Sequence, residues 1–67
     1  MRTTELRPGF DFVPLQRAGG EQTEALVEEV EHLEGDIWAV TLILGPDQDF
    51  RQHVIMSTAD AEWITAD

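Results

Sequence analysis

The segment "DIWAVTLIL" (36–44) leaves this chain few folds to adopt. It is rich in β-branched and aromatic residues, follows Gly35 and stops at Gly45-Pro46, so it reads as a strand. Trp38, Val40, Leu42 and Leu44 fall on one face, and Ile37, Ala39, Thr41 and Ile43 on the other. Both faces are therefore largely apolar, and each needs cover. The chain has 67 residues and no cysteine, which predicts one small domain over 1–67 with no disulfide to hold it. A domain of this size buries only about 60% of the surface its unfolded chain exposes. Local packing or self-association must supply what a larger core would.

Around this strand the pattern is that of a small β protein. Residues 1–9 are polar, end in the turn signal Pro8-Gly9, and form an N-terminal arm. "FDFVPL" (10–15) alternates as a half-buried strand, and Pro14 ends it or marks it as an edge. "QRAGGEQ" (16–22) reads as a loop, and "GPDQD" (45–49) as a hairpin connection. "FRQHVIM" (50–56) is the return strand, with Phe50, Val54 and Met56 on one face and Arg51, His53 and Ile55 on the other. "STADAEW" (57–63) predicts one helical turn capped by Ser57 or Thr58, and "WIT" (63–65) a short closing strand.

The remaining stretch, "EALVEEVEHLE" (24–34), supports two folds. Leu26, Val30 and Leu33 recur at helical spacing with Val27 beside them, and Gly35 stands where a helix C-cap would. Against a helix, Glu31 and Glu34 would face the negative end of its dipole, and glutamates would be neighbours along its surface. A strand places Val27 and Val30 on one side only if a bulge separates them.

"ELRPGFDFV" resembles the opening "ELxPGDxV" of small SH3-like and KOW-like barrels, and "VEEVEHLEGDIWAVTLIL" resembles their strand-two to strand-three hairpin. In those barrels a helical turn precedes the last strand, as "STADAE" would precede "WITAD". Phe10 departs from the pattern, because it stands between Gly9 and Asp11. The chain lacks Lys, Asn and Tyr, whose codons are AT-rich, and small acidic proteins of this build occur in actinobacteria and actinophages. The resemblance implies a mainly β fold, a small SH3-like five-stranded barrel with one helical turn before the last strand. The alternative is α+β, with a helix over 21–34 on an antiparallel sheet.

Fourteen acids against four arginines give a net charge of −10. Residues 1–17 hold three arginines and two acids, whereas 18–67 hold Arg51 alone against twelve acids. Such a surface repels nucleic acid and anionic lipid, and attracts basic protein surfaces or the basic grooves that hold nucleic acid. KOW domains that bind RNA are basic, so the resemblance carries a fold here and not that activity. No apolar run approaches the length of a membrane span, and "MRTTELRPGF" lacks the apolar core of a signal peptide, so the expected location is the cytoplasm.

Signatures of catalysis are sparse, and the chain is read as non-enzymatic, with no catalytic, cofactor or metal residues. Ser57 is a cap, without a histidine near it in sequence. His32 and His53 lack metal-ligand spacing. Asp47 and Asp49 match the first ligand positions of a calcium loop, but Gln52 and Thr58 stand where Gly and Glu would be required. In a barrel, Ile37, Ala39 and Ile43 face outward, with Ile55 on the adjacent strand; Trp38, if turned outward, enlarges that patch. With Glu28, Glu29, Glu31, Glu34 and Asp36 as an acidic rim, these residues are the candidate surface for a protein partner, or for a second copy in a homodimer. Far-UV circular dichroism separates the two folds: about 20% helix would mark the helical one, and almost none is expected for the barrel.

Overall fold

A computed structural model describes residues 1–16, 19–20, 22–45, 49 and 51–65. The protein is mainly β. Four strands, β1 (Phe12–Gln16), β2 (Gln22–Glu34), β3 (Ile37–Ile43) and β4 (Gln52–Ser57), form one antiparallel sheet in the order β1-β2-β3-β4. The sole helical element among the described residues is a 3-10 turn at Thr3–Glu5. The stretch 24–34 is strand throughout, so the helix over 21–34 does not form. Strand pairing removes the conflict that a helix would create, because the glutamates no longer stack toward one negative helix end.

The bulge that the strand reading requires is present. Pairing runs Leu26 with Ile43 and Val27 with Leu42, then resumes at Glu29 with Thr41. Glu28 is the extra residue, and it returns Val30 to the face of Val27. Val27, Val40 and Leu42 are fully buried, with Val13, Ala25 and Leu6 around them. Val30, Ile55, Leu15, Leu44 and Trp63 pack against this cluster. A second shift falls between His32 and Glu34, just before a two-residue turn at Gly35-Asp36. Gly35 has φ +53 at the first central position, the backbone of a type II′ hairpin turn. It is a turn glycine and not a helix cap.

Residues 1–9, set apart in the sequence as an arm, contribute to the core. Thr3 is fully buried and its Oγ1 accepts a hydrogen bond from Trp63 Nε1 at 2.7 Å. Thr3 N donates to the Ala61 carbonyl, Trp63 N donates to that of Met1, and Arg2 bridges to Glu62. The two terminal segments thus clasp each other across the end of the sheet. The helical turn expected over 57–63 does not form: Ser57 ends β4, and residues 58–61 make a hydrogen-bonded turn closed by Ala61 N donating to Thr58 O.

No fifth strand and no closed barrel form among the described residues. The reason lies on β1. Val27 N donates to Asp11 O, and continuing the ladder from there points the Val13 and Leu15 backbone groups at β2. The Phe12, Pro14 and Gln16 groups then point to the free edge, where a closing strand would have to pair. Pro14 offers no N–H there. The 63–65 segment pairs instead with the chain start. Of the expected loops, Arg17, Ala18, Glu21 and residues 46–48 lie outside the described residues, as does Phe50.

Deleting Glu28 should flip every residue of β2 on one side of the bulge to the opposite face. We expect the deletion variant to lose its cooperative urea transition. Glu28→Ala keeps the residue count and should stay within about 1 kcal/mol of the parent. Equal transitions for the two variants would show that the bulge does not set the register.

Candidate functional surface

The pairing register sorts the sheet into two faces, because residues opposite one another point the same way. The inner face carries Val13 and Ala25, Val27 and Leu42, and Val30, Val40 and Ile55. On the outer face Phe12, Leu26, Ile43 and Gln52 form one row. Glu29, Thr41 and Val54 form the next, then Glu31, Ala39 and Met56, and Glu34 with Ile37 at the hairpin end. An apolar stripe therefore runs over β3 and β4, with a row of glutamates from β2 along its side.

Most of the sequence candidates meet on this face. Ile37 is 46% exposed, Val54 56% and Met56 62%. Ala39 belongs to the same face but is only 8% exposed, a small side chain between Glu31 and Met56. Ile43 is half-buried between Leu26 and Gln52. Glu28 reaches across from the bulge, and its Oε1 accepts a hydrogen bond from Gln52 Nε2 at 2.8 Å. Asp36 lies at the hairpin turn, where its Oδ1 accepts from Ala59 N.

Two candidates lie elsewhere. Ile55 sits opposite Val40 and packs against the core, so it is not part of the outer patch. Trp38 is on the inner side, half-buried, and stacks on His32 with ring centroids 4.6 Å apart. His32 Nε2 lies 2.7 Å from the Gly35 carbonyl. A carbonyl only accepts, so that nitrogen carries the proton. Val54 and Met56 take the place of Ile55, and Phe12 and Leu26 extend the stripe. Their alternation was visible in sequence, but the register across the 44–51 connection was not, and a slip of one residue exchanges the faces.

His32 and His53 stand on β2 and β4 with β3 between them. Among the described residues no three His, Cys, Asp or Glu side chains group as metal ligands, and no helix is long and apolar enough to cross a membrane.

Among the described residues one carboxylate is buried. Asp11 is 6% exposed, and it closes the turn that carries Phe10 outward. Its Oδ1 accepts from the Arg7 guanidinium at 3.1 Å, and its Oδ2 from Arg7 N at 2.7 Å. These bonds, the guanidinium first, hold the Asp11 carboxyl below the usual carboxylate range against the opposing effect of burial. Gly9, at φ +82, brings its N–H to the Val27 carbonyl at 2.7 Å, and Asp11 O takes the Val27 N–H at 2.8 Å. The turn therefore holds β2 just before its bulge.

Compared with known proteins, the chain matches no family model, no curated protein and no solved structure.

A folded-state carboxyl below its unfolded value stabilises the fold above the unfolded pKa, about 3.9 for Asp. That contribution is lost as pH falls through the folded value. Asp11→Asn should therefore cost about 1–3 kcal/mol at neutral pH. The gap to the parent should hold above about pH 5 and close as pH falls through the folded value. The other carboxylates titrate in both proteins, so urea midpoints of the pair across pH isolate Asp11. A gap independent of pH would assign the loss to packing.

Proposed function

We propose that this protein is a non-enzymatic binding module whose outer sheet face docks on a basic protein surface. The observation that carries this reading is the exposed apolar stripe of Ile37, Val54 and Met56 beside the glutamates of β2. Apolar area anchors an interface, and charge sets its on-rate and choice of partner. The chain carries a net charge of −10, so the complementary partner is cationic.

The kind of cationic surface follows from the spacing. Residues two apart on a strand stand about 6.7 Å apart. Glu29 and Glu31 have that spacing, comparable to the interval between successive phosphates on a nucleic-acid strand. The partner we favour is thus a host protein with a basic nucleic-acid-binding groove, occupied in place of its nucleic acid. On the resemblance to small actinophage proteins, the module would act there as an inhibitor. The SH3-like reading of the architecture is supported by β2, which pairs with β1 up to Leu26 and with β3 beyond it, bending at the bulge between.

The test is affinity capture from a host lysate followed by competition. Nucleic-acid-binding proteins should dominate the bound fraction, and duplex DNA should displace them. The triple variant Glu29→Gln, Glu31→Gln, Glu34→Gln should bind about tenfold more weakly and lose much of the salt dependence. Ile37→Ser should speed dissociation and leave the salt dependence intact. A bound fraction without nucleic-acid-binding proteins, or one that DNA does not displace, would overturn the reading.

A further inference from the structure

We propose that two copies of this chain join through their β4 edges into one continuous antiparallel sheet. Leu44 N donates to Arg51 O at 3.0 Å, and the register from there to Trp38–Ser57 is unbroken. Alternation in an antiparallel ladder then points the backbone groups of His53, Ile55 and Ser57 at β3. Those of Gln52, Val54 and Met56 point away from the sheet. Among the described residues no backbone group pairs with them. Among the described residues this edge is a row of unpaired donors and acceptors.

Other edges of the same sheet are guarded. The β1 edge contains Pro14, which has no N–H to offer. Beyond Leu26, β2 no longer pairs with β1, and that half carries Glu28, Glu29, Glu31 and Glu34. By contrast, β4 has no proline, no bulge, no lysine and no acid, and its outward-pointing residues include exposed Val54 and Met56. Natural sheets block their edges with those devices, and an edge without them is a site for strand addition.

Charge decides which partner the edge accepts. Each copy carries −10, so two copies approach one another only where acids are absent. Residues 51–59, "RQHVIMSTA", contain none and include Arg51, and the two carboxylates that reach the segment, Glu28 and Asp36, accept hydrogen bonds from Gln52 Nε2 and Ala59 N. A two-fold axis through Val54 pairs Val54 with itself and Gln52 with Met56 of the second copy. Every outward N–H and C=O of the three residues then finds a partner, and the outer face stays on one side. The combined sheet has eight strands, twice the four of one copy. It sets the two apolar stripes side by side at the centre, with one glutamate row on each flank. Five strand spacings put the rows about 24 Å apart before twist. The pairing does not depend on the cationic partner proposed above, but a dimer would present that partner with two acidic rows.

Sedimentation velocity over the micromolar range, with amide exchange by NMR, tests this. The wild type should form a dimer, and the Val54 and Met56 amides should gain protection as concentration rises. The Ile55 amide, bonded to β3, should be protected in both states. Val54→Pro removes an outward N–H without touching the β3 ladder and should give a folded monomer by circular dichroism. Val54→Thr should still dimerise. Where Val54→Pro fails to fold, the wild-type exchange pattern decides alone. A wild-type monomer throughout, a dimer that survives Val54→Pro, or a dimer whose Val54 and Met56 amides exchange freely would each overturn the pairing. Binding to a cationic protein by a strict monomer would leave the functional reading standing and remove only this one.

Discussion

The single extra residue at Glu28 is the constraint on which the rest of the structure depends. Without it, Val27 and Val30 would face opposite sides of β2. With it, Ala25 stands beside Val13 of β1, and Val27 and Val30 stand beside Leu42 and Val40 of β3, all on the core face. The same strand serves two pairings because it bends between them. In this chain, one strand shared between two pairings helps enclose the core. The core is correspondingly small, and the fully buried large side chains on the sheet are Val27, Val40 and Leu42.

The bulge is held from the β1 side by a polar device. Both backbone groups of Val27 bond to the turn that Asp11 organises, and Asp11 is organised in turn by Arg7. At the other end, Thr3 occupies a fully buried position and takes the Trp63 indole N–H. The segments 1–3 and 61–63 are joined to each other, and Thr3 is buried with them. Apart from the Arg7–Asp11 pair, these contacts join residues far apart in sequence, and they supply order that the limited apolar burial leaves short.

Several features were legible in the sequence for physical reasons. The β3 strand declared itself by composition, and the need for a bulge between Val27 and Val30 followed from the period of a strand. Pro14 announced an edge. Other features were hidden because they rest on long-range pairing. The face of Ile55 depends on the register with β3, which the residues of β4 do not set by themselves. The burial of Thr3 depends on Trp63, sixty positions away. Closure of a barrel was expected from resemblance, and the missing N–H of Pro14 stands at the edge where closure would occur. Ile37, Ala39, Ile43, Glu29, Glu31 and Glu34, read from alternation alone, do share one face of the sheet.

That face and the β4 edge are consequences of one shortage. A four-stranded sheet with one buried side leaves its second side short of cover among the described residues. Exposed apolar area of this kind invites indiscriminate association unless charge limits who may approach. The glutamates do so by position. They line β2, where the edge is otherwise unguarded, and they border the stripe on that side only. On the proposed reading, approach from the β2 side suits a cationic partner, and approach from the β4 side suits a second strand edge without acids. Acidity in this protein is best understood as direction: the carboxylates close some routes to the apolar stripe and leave the others to partners of matching chemistry.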